Sequence, residues 1–503
     1  MFSAFLNCFK IPELRQRILF TLSLLVIVRL GAAIPVPGIN PEVLGEYFRT
    51  VINQQTQGNI FGMFNLFSGG AFRNCAVFSL TIMPYISASI IMQLATGVIP
   101  SLSKLSREEG GRQKITQYTR LGTLALCLIQ GTFLSLAFLN PGELFPDIDQ
   151  VILELGPLVL INESLFIFTT LTTLTAGTML LMWLGEQITD RGIGNGISLI
   201  ITVGIVAELP AALVAGWQVF NPPSGAPGQA ISPVVIVLLI AFLFAVVAGA
   251  VAITQAMRKV PVQYARQVRG NKVYGGQSSY LPLKVNYAGV MPIIFASMIF
   301  VFIGTMTRFI FRNSEMASRF VSAINDGMLY YLVYGGLVFF FCYFWVAMVF
   351  NPTQIADDMK RNGGFIPGVR PGDPTARFLD GAMTRLTFAG AGFLTLLAIL
   401  PMLVSRMLQV PMITSQFFGG TGLLIIVGVM LDTMRQMETH LLQRHYDGFL
   451  KKGKLRGRSS MGSKRGGGNT SIAADRMIWL IALIALIIIG GIVASLIRGG
   501  GNF

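Results

Sequence analysis

Eleven long apolar runs set the rhythm of the chain, at about 18–36, 74–97, 118–139, 165–184, 197–216, 232–254, 287–307, 328–350, 386–405, 421–437 and 477–497. Each is close to the roughly 20 residues that a helix needs to cross a hydrocarbon layer. The runs are continuous and far longer than a barrel strand, so they predict membrane helices rather than strands. With the N-terminus placed in the cytoplasm, 30 of the 38 Lys and Arg fall on the cytoplasmic side and 7 outside, while Arg29 lies within the first run. That asymmetry is the positive-inside bias and fixes the expected orientation. If all eleven runs insert, the C-terminus ends outside.

Composition agrees. Of 503 residues 53% are hydrophobic and only 12% charged, with a mean hydropathy of +0.65. Soluble domains carry about 25% charged residues, and half that share cannot cover a water-soluble globule of this size. A soluble enzyme, a disordered chain and a fibrous protein are excluded, and one membrane-embedded unit is expected. The net charge of +15 fits either the positive-inside bias or a docking surface for RNA or acidic partners. The four cysteines lie at or inside apolar runs without metal-ligand spacing, so neither a disulfide framework nor a metal site is expected, and no cofactor. The first run lacks a small-residue cleavage site and reads as a retained span, not a signal peptide.

Three polar stretches are not ordinary connectors. Residues 51–73 are too short and too Gly-rich to span, yet Ile60 to Phe67 are too apolar for an exposed loop. They read either as a re-entrant helix folded into the protein or as a helix lying on the outer surface. The loops 255–286 and 351–385 are long, basic and punctuated by Gly and Pro, which suggests a docked partner. Residues 451–476 form a basic, Gly/Ser-rich linker leading to an extra transmembrane helix at 477–497.

Several strings then carry a resemblance. They are Met63 to Gly70, Ile82 to Leu94, Met182 to Ile200, Leu281 to Asn286 and Asn351 to Asp380. Over about residues 11–452 the chain resembles the SecY family, the central channel subunit of the Sec protein translocase, bacterial type. The resemblance implies an all-α, polytopic, ten-helix channel of two pseudo-symmetric five-helix halves, here 1–216 and 217–450, with a re-entrant plug at about 59–72. It implies a passive channel, not an enzyme, driven by a partner motor, the ribosome or the membrane potential. It would pass unfolded polypeptide across the membrane and release signal or transmembrane segments into lipid through a lateral gate. By motif match the pore ring is Ile82, Ile86, Ile197, Ile201, Ile294 and Ile425, branched apolar side chains of the kind that seal by dewetting. The plug includes Ile60, Phe64, Phe67, Gly69 and Gly70. The lateral gate carries polar groups at Ser87, Gln130 and Asn286, where weak interhelical hydrogen bonds could hold two faces together. Motor or ribosome docking falls to Arg258, Lys259, Lys272 and Arg370, although Asn271 stands where relatives often have Arg. The implied partners are SecE-like and SecG-like small subunits, the SecA motor ATPase, the ribosome, preprotein substrates and membrane lipid. The implied location is a bacterial inner membrane, with a thylakoid membrane the alternative.

Two intramembrane charges are conspicuous. Arg29 would cost roughly 2.5–3.5 kcal/mol at mid-membrane, and a pair with Asp432 is conceivable. Two rival classes fit less well. An enzyme would need a catalytic or nucleotide-binding constellation, and Gly192-Ile193-Gly194-Asn195-Gly196 lacks the lysine of a phosphate loop. A small-solute transporter should show paired intramembrane acids or broken helices with polar mid-depth backbone, and this chain has few.

Overall fold

The computed structural model describes residues 11–47, 65, 68–108, 110–141, 148–220, 233–264, 267–269, 272–274, 278–287, 289, 291–297, 299, 328–408 and 421–452. The expected linker at 451–476, apart from 451 and 452, the span at 477–497 and the plug positions Ile60, Phe64 and Phe67 lie outside the described residues.

In chain order the helices are α1 (Pro12–Gly31), α2 (Pro41–Tyr47), α3 (Met83–Val98), α4 (Pro100–Arg107), α5 (Gly111–Leu139), α6 (Ile148–Leu155), α7 (Glu163–Arg191), α8 (Gly196–Ala207), α9 (Leu209–Phe220) and α10 (Pro233–Gln255). Strands β1 (Met257–Tyr264), β2 (Gln267–Arg269), β3 (Lys272–Tyr274) and β4 (Ser278–Lys284) follow. After a helical stretch at 291–297 come α11 (Met328–Val349), α12 (Pro352–Arg361), β5 (Gly364–Phe365), α13 (Asp373–Leu408) and α14 (Thr421–Lys452). The protein is a multi-pass membrane protein. Among the described residues, six helical segments are long and apolar enough to cross a membrane, and α3 with α4 makes a seventh that bends by 103° at Pro100. At about 1.5 Å per residue, α5 and α7 are each about 43 Å long, which exceeds the roughly 30 Å hydrocarbon core. In α1 and midway along α14, charges crowd the apolar stretch: Glu13, Arg15, Arg17 and Arg29 in one, Asp432, Arg435 and Glu438 in the other.

Leu19, Leu22, Val26 and Leu30 on α1, Leu121 and Leu128 on α5, and Phe388 and Leu396 on α13 are exposed, as lipid-facing positions are. Inside the helices, hydroxyls bond back to their own backbone. Thr119 donates to Ile115 O (2.9 Å), Thr123 to Thr119 O (2.8 Å) and Thr202 to Ser198 O (2.8 Å), so they need no water.

The expected second span departs from a single helix. Residues 69–82 are turns, and only from Met83 does a helix run. Cys75 and Thr81 take positive φ (45° and 55°), and Ser79 donates to Ala71 O (3.0 Å) and Ala76 O (2.6 Å), which folds the segment on itself. Hydropathy alone cannot distinguish that compact turn from a helix. The turn packs with α2 and α6 in a second core of Val43, Leu44, Tyr47, Phe72, Cys75 and Ile148, tied by the bridges Pro35↔Ala76 and Ile39↔Val159.

The loop 255–286 holds antiparallel strands. β1 pairs β4 from Met257↔Lys284 to Gln263↔Ser278, and β1 also pairs β5 at Gln263↔Phe365 and Tyr264↔Gly364, giving the order β4-β1-β5. The two basic loops are therefore one sheet-bearing unit. Val260, Leu283 and Ile366 seat it on Val346 and Phe350 at the end of α11 and on Leu379 and Met383 of α13.

Candidate functional site

The centre of the molecule is apolar and assembled from segments far apart in sequence. Ile82 (1% exposed) ends the turn before α3, and Ile86 lies one turn into that helix. Ile201 is on α8, Ile294 in the stretch 291–297, and Ile425 (0% exposed) on α14. All five are buried in one cluster, against which the partly buried Ile197 packs. The six expected ring positions thus all belong to the main apolar core, and three of them, Ile82, Ile201 and Ile294, line one cavity. Beside them is a cavity of about 30 Å³ whose lining includes Arg29, Ser68, Thr81, Ile82, Ile201 and Ile294. That is room for water and far short of a polypeptide, since even a helix with its side chains is about 10–12 Å across.

Local chemistry explains why these helices meet there. The glycine-rich string before α8 is a cap. Asn195 Oδ1 accepts from Ile197 N (3.1 Å) and Ser198 N (3.3 Å), satisfying donors at the start of α8. Ile193 N donates to Thr21 Oγ1 of α1 (3.1 Å), and Gly194 N donates to Gln436 Oε1 of α14 (2.9 Å). One turn thus joins α1, α8 and α14, over a small core of Leu14, Ile193 and Met437.

On one side of the ring lies the turn that contains Gly69 and Gly70. Both have positive φ (61° and 83°), which glycine adopts without strain. Space demands glycine as well. A Cβ on Gly69 would sit 2.6 Å from Gly204 Cα of α8, and one on Gly70 2.5 Å from Glu208 Oε1. Gly70 N donates to Asn65 O (3.1 Å), and Asn65 Oδ1 accepts from Arg73 N (3.0 Å). Arg29 Nη1 donates to Gly69 O (2.8 Å). Arg29 therefore belongs to this turn, while Asp432 is exposed on α14. The conceivable Arg29–Asp432 pair is replaced by a contact with backbone. Glu208 (6% exposed), at the junction of α8 and α9, was missed by sequence reasoning. Its signal was an acid within an otherwise apolar run.

The expected gate positions sit on facing elements. Ser87 on α3 and Gln130 on α5 are partly buried, and Asn286 is buried. The bond that the structure gives Asn286 is local, from Nδ2 to Gly289 O (3.0 Å), and it shapes the turn into 291–297 rather than crossing to another helix. α3 and α11 also approach each other at Gly97, where an added Cβ would lie 2.9 Å from Met348 Cε. Between the stretch 291–297 and α11, Ser297 and Tyr334 share a buried hydrogen bond of 2.9 Å, and Phe295 packs on Phe341 and Trp345.

The expected docking residues lie on the sheet-bearing unit. Arg258 and Lys259 are exposed on β1, and Lys259 Nζ stands 4.8 Å from the centre of the Tyr280 ring of β4. Lys272 is on β3, with backbone register opposite Arg269. Arg370 is exposed just before α13, its carbonyl accepting from Thr375 Oγ1 (2.8 Å).

The SecY family model matches residues 76–434. The protein translocase subunit SecY of Chlamydia muridarum is 44% identical over 458 residues, 90% of this chain and 98% of that protein. Three solved structures, each 18% identical and covering 87% of this chain and 94% of theirs, share the fold. One is described as a protein-conducting channel (TM-score 0.54). The second is a SecY protein whose plug domain is described as stabilising the closed state and maintaining a membrane seal (TM-score 0.50). The third is Sec61 in the canine ribosome–channel complex from the endoplasmic reticulum (TM-score 0.51).

Proposed function

The chain belongs to the SecY family of protein translocase subunits, and on that footing we propose how its own residues serve a protein-conducting channel. Ile82, Ile86, Ile197, Ile201, Ile294 and Ile425 form the constriction. The observation that supports the reading is that Ile82, Ile201 and Ile294, from three distant segments, line one cavity inside the apolar core to which all six belong. Branched apolar side chains exclude water from a narrow passage and give way to a chain that displaces them. The segment 59–72, ending in the Gly69–Gly70 turn, is the plug beside that constriction. The halves 1–216 and 217–450 separate along α3 and α5 on one side and 291–297 and α11 on the other, which gives a signal or transmembrane segment its exit into lipid. Ser87, Gln130 and Asn286 tune that seam.

The channel does no chemistry of its own. The sheet-bearing unit, with Arg258, Lys259, Lys272 and Arg370, docks the SecA motor or a ribosome. Guanidinium groups suit phosphate and carboxylate alike, so reversing Arg370 to Glu should repel a partner rather than trim its affinity. SecE-like and SecG-like subunits complete the complex. It sits in a bacterial inner membrane with the N-terminus and the basic loops in the cytoplasm.

The test is site-specific photocrosslinking from Ile86 and Ile294 to a secretory precursor stalled halfway with its motor or ribosome bound. Crosslinks from both sites to the mature part of the precursor support the reading. Their absence with the partner bound removes it.

A further inference from the structure

Glu208 is an acidic side chain buried where the constriction meets the plug turn, and the family resemblance does not account for it. Its Oε1 lies over Gly70, so close that a Cβ there would come within 2.5 Å. Arg73, three residues beyond that glycine, brings its Nη2 to 3.7 Å from the same point, and Arg29 on α1 supplies a second guanidinium nearby. Arg29 in turn holds Gly69 O at 2.8 Å, and a Cβ on Gly69 would lie 2.9 Å from the same Nη1. Two arginines and one carboxylate thus bracket the two glycines from both sides. The acid comes from the α8–α9 junction, one arginine from α1, and the other from the turn itself. A carboxylate buried this deeply is tolerated only with such partners, and it strongly resists losing them.

We propose that Glu208, with Arg29 and Arg73, is an electrostatic latch that holds the Gly69–Gly70 turn against α1 and α8 and sets how readily the channel opens. This rests on the reading of 59–72 as a plug. Moving the turn away would draw the Arg73 charge away from Glu208 and take Gly69 O from Arg29 in one step, so the closed state gains attractions that the open state lacks. Glu208 and its two arginines are positioning residues that touch the plug, not the passing chain.

The experiment uses the full chain with its partner subunits in planar bilayers. It compares resting ion conductance for wild type, Glu208→Gln, Arg73→Gln, the Glu208→Gln/Arg73→Gln pair, the charge swap Glu208→Arg/Arg73→Glu, and a deletion of 60–70. Each single variant should raise resting conductance about tenfold, the scale of one lost charged contact. The paired variant should leak no more than either single one, because both remove the same contact, and the swap should restore tightness. A general packing defect would give additive leaks and no rescue by the swap. That outcome, or tight single variants beside a leaky deletion, overturns the latch and leaves the plug reading standing. A tight deletion overturns both. If Glu208→Gln fails to reach the membrane, Arg73→Gln and the charge swap decide the question by the same readout.

Discussion

Asn195 shows how a single side chain positions the helix that carries two of the proposed constriction residues. Its two accepted hydrogen bonds fix the start of α8, which carries Ile197 and Ile201. Asn195→Ala should cost about 1 kcal/mol of stability and lower the thermal unfolding midpoint of the purified complex by a few degrees. Asn195→Asp, which keeps the acceptor, should restore it. The proposed ring residues are nominated only through resemblance, because an isoleucine in a membrane helix looks the same whether it seals a pore or packs a core. Glu208 was legible as an oddity, an acid between Ala207 and Leu209, but its partners were not. Arg29 lies 179 positions away, and nothing in either local sequence names the other. Arg120 and Glu186 form a two-point ion pair (3.2 and 2.6 Å) between α5 and α7, but the arginine is 48% exposed, so the pair adds little stability.

At the scale of elements, the informative departure is the strand pair in 255–286. Val260 and Val262 are buried while Arg258, Lys259, Pro261 and Gln263 are exposed. This period-two pattern marks a strand lying on a core. The pattern was present in the sequence, but the basic residues around it drew attention to charge. The second departure, the turns at 69–82, was illegible because apolar residues serve a compact buried turn as well as a helix. Two substitutions separate docking from folding of the sheet. Arg258→Glu should weaken binding of the motor or ribosome while leaving the unit as resistant to protease as wild type. Val260→Asp, which places an unpaired charge against Val346 and Phe350 at a cost of several kcal/mol, should lose binding and resistance together. Limited proteolysis beside a co-sedimentation assay reads both.

At the scale of the whole molecule, the described contacts between the two halves differ in kind from place to place. The turn at 193–195 grips Gln436 of α14 by a hydrogen bond, whereas Gly97 meets Met348 only through a soft thioether contact. The second boundary should part more easily. With the four native cysteines replaced, cysteines at Gly97 and Met348 joined by a short thiol crosslinker should stop insertion of transmembrane segments and passage of secretory precursors. The same cysteines left unjoined should permit both, and free passage through the joined form would sink the seam. Hydropathy located the six long apolar helices found among the described residues, since it depends on local composition. Which faces meet depends on glycine notches and caps that act across the fold.

Because β5 hydrogen-bonds to β1, the two basic loops would, in the proposed docking role, meet a partner as a single preformed body. The ordering entropy of two 30-residue connectors is already lost when the sheet forms, so it does not weaken the encounter. Once Arg258 or Lys259 has engaged, Arg370 is presented by the same folded unit rather than by a separate tether. Recognition on the proposed surface would therefore behave as one bivalent event, in which the second contact follows the first at the high effective concentration that a fixed spacing provides.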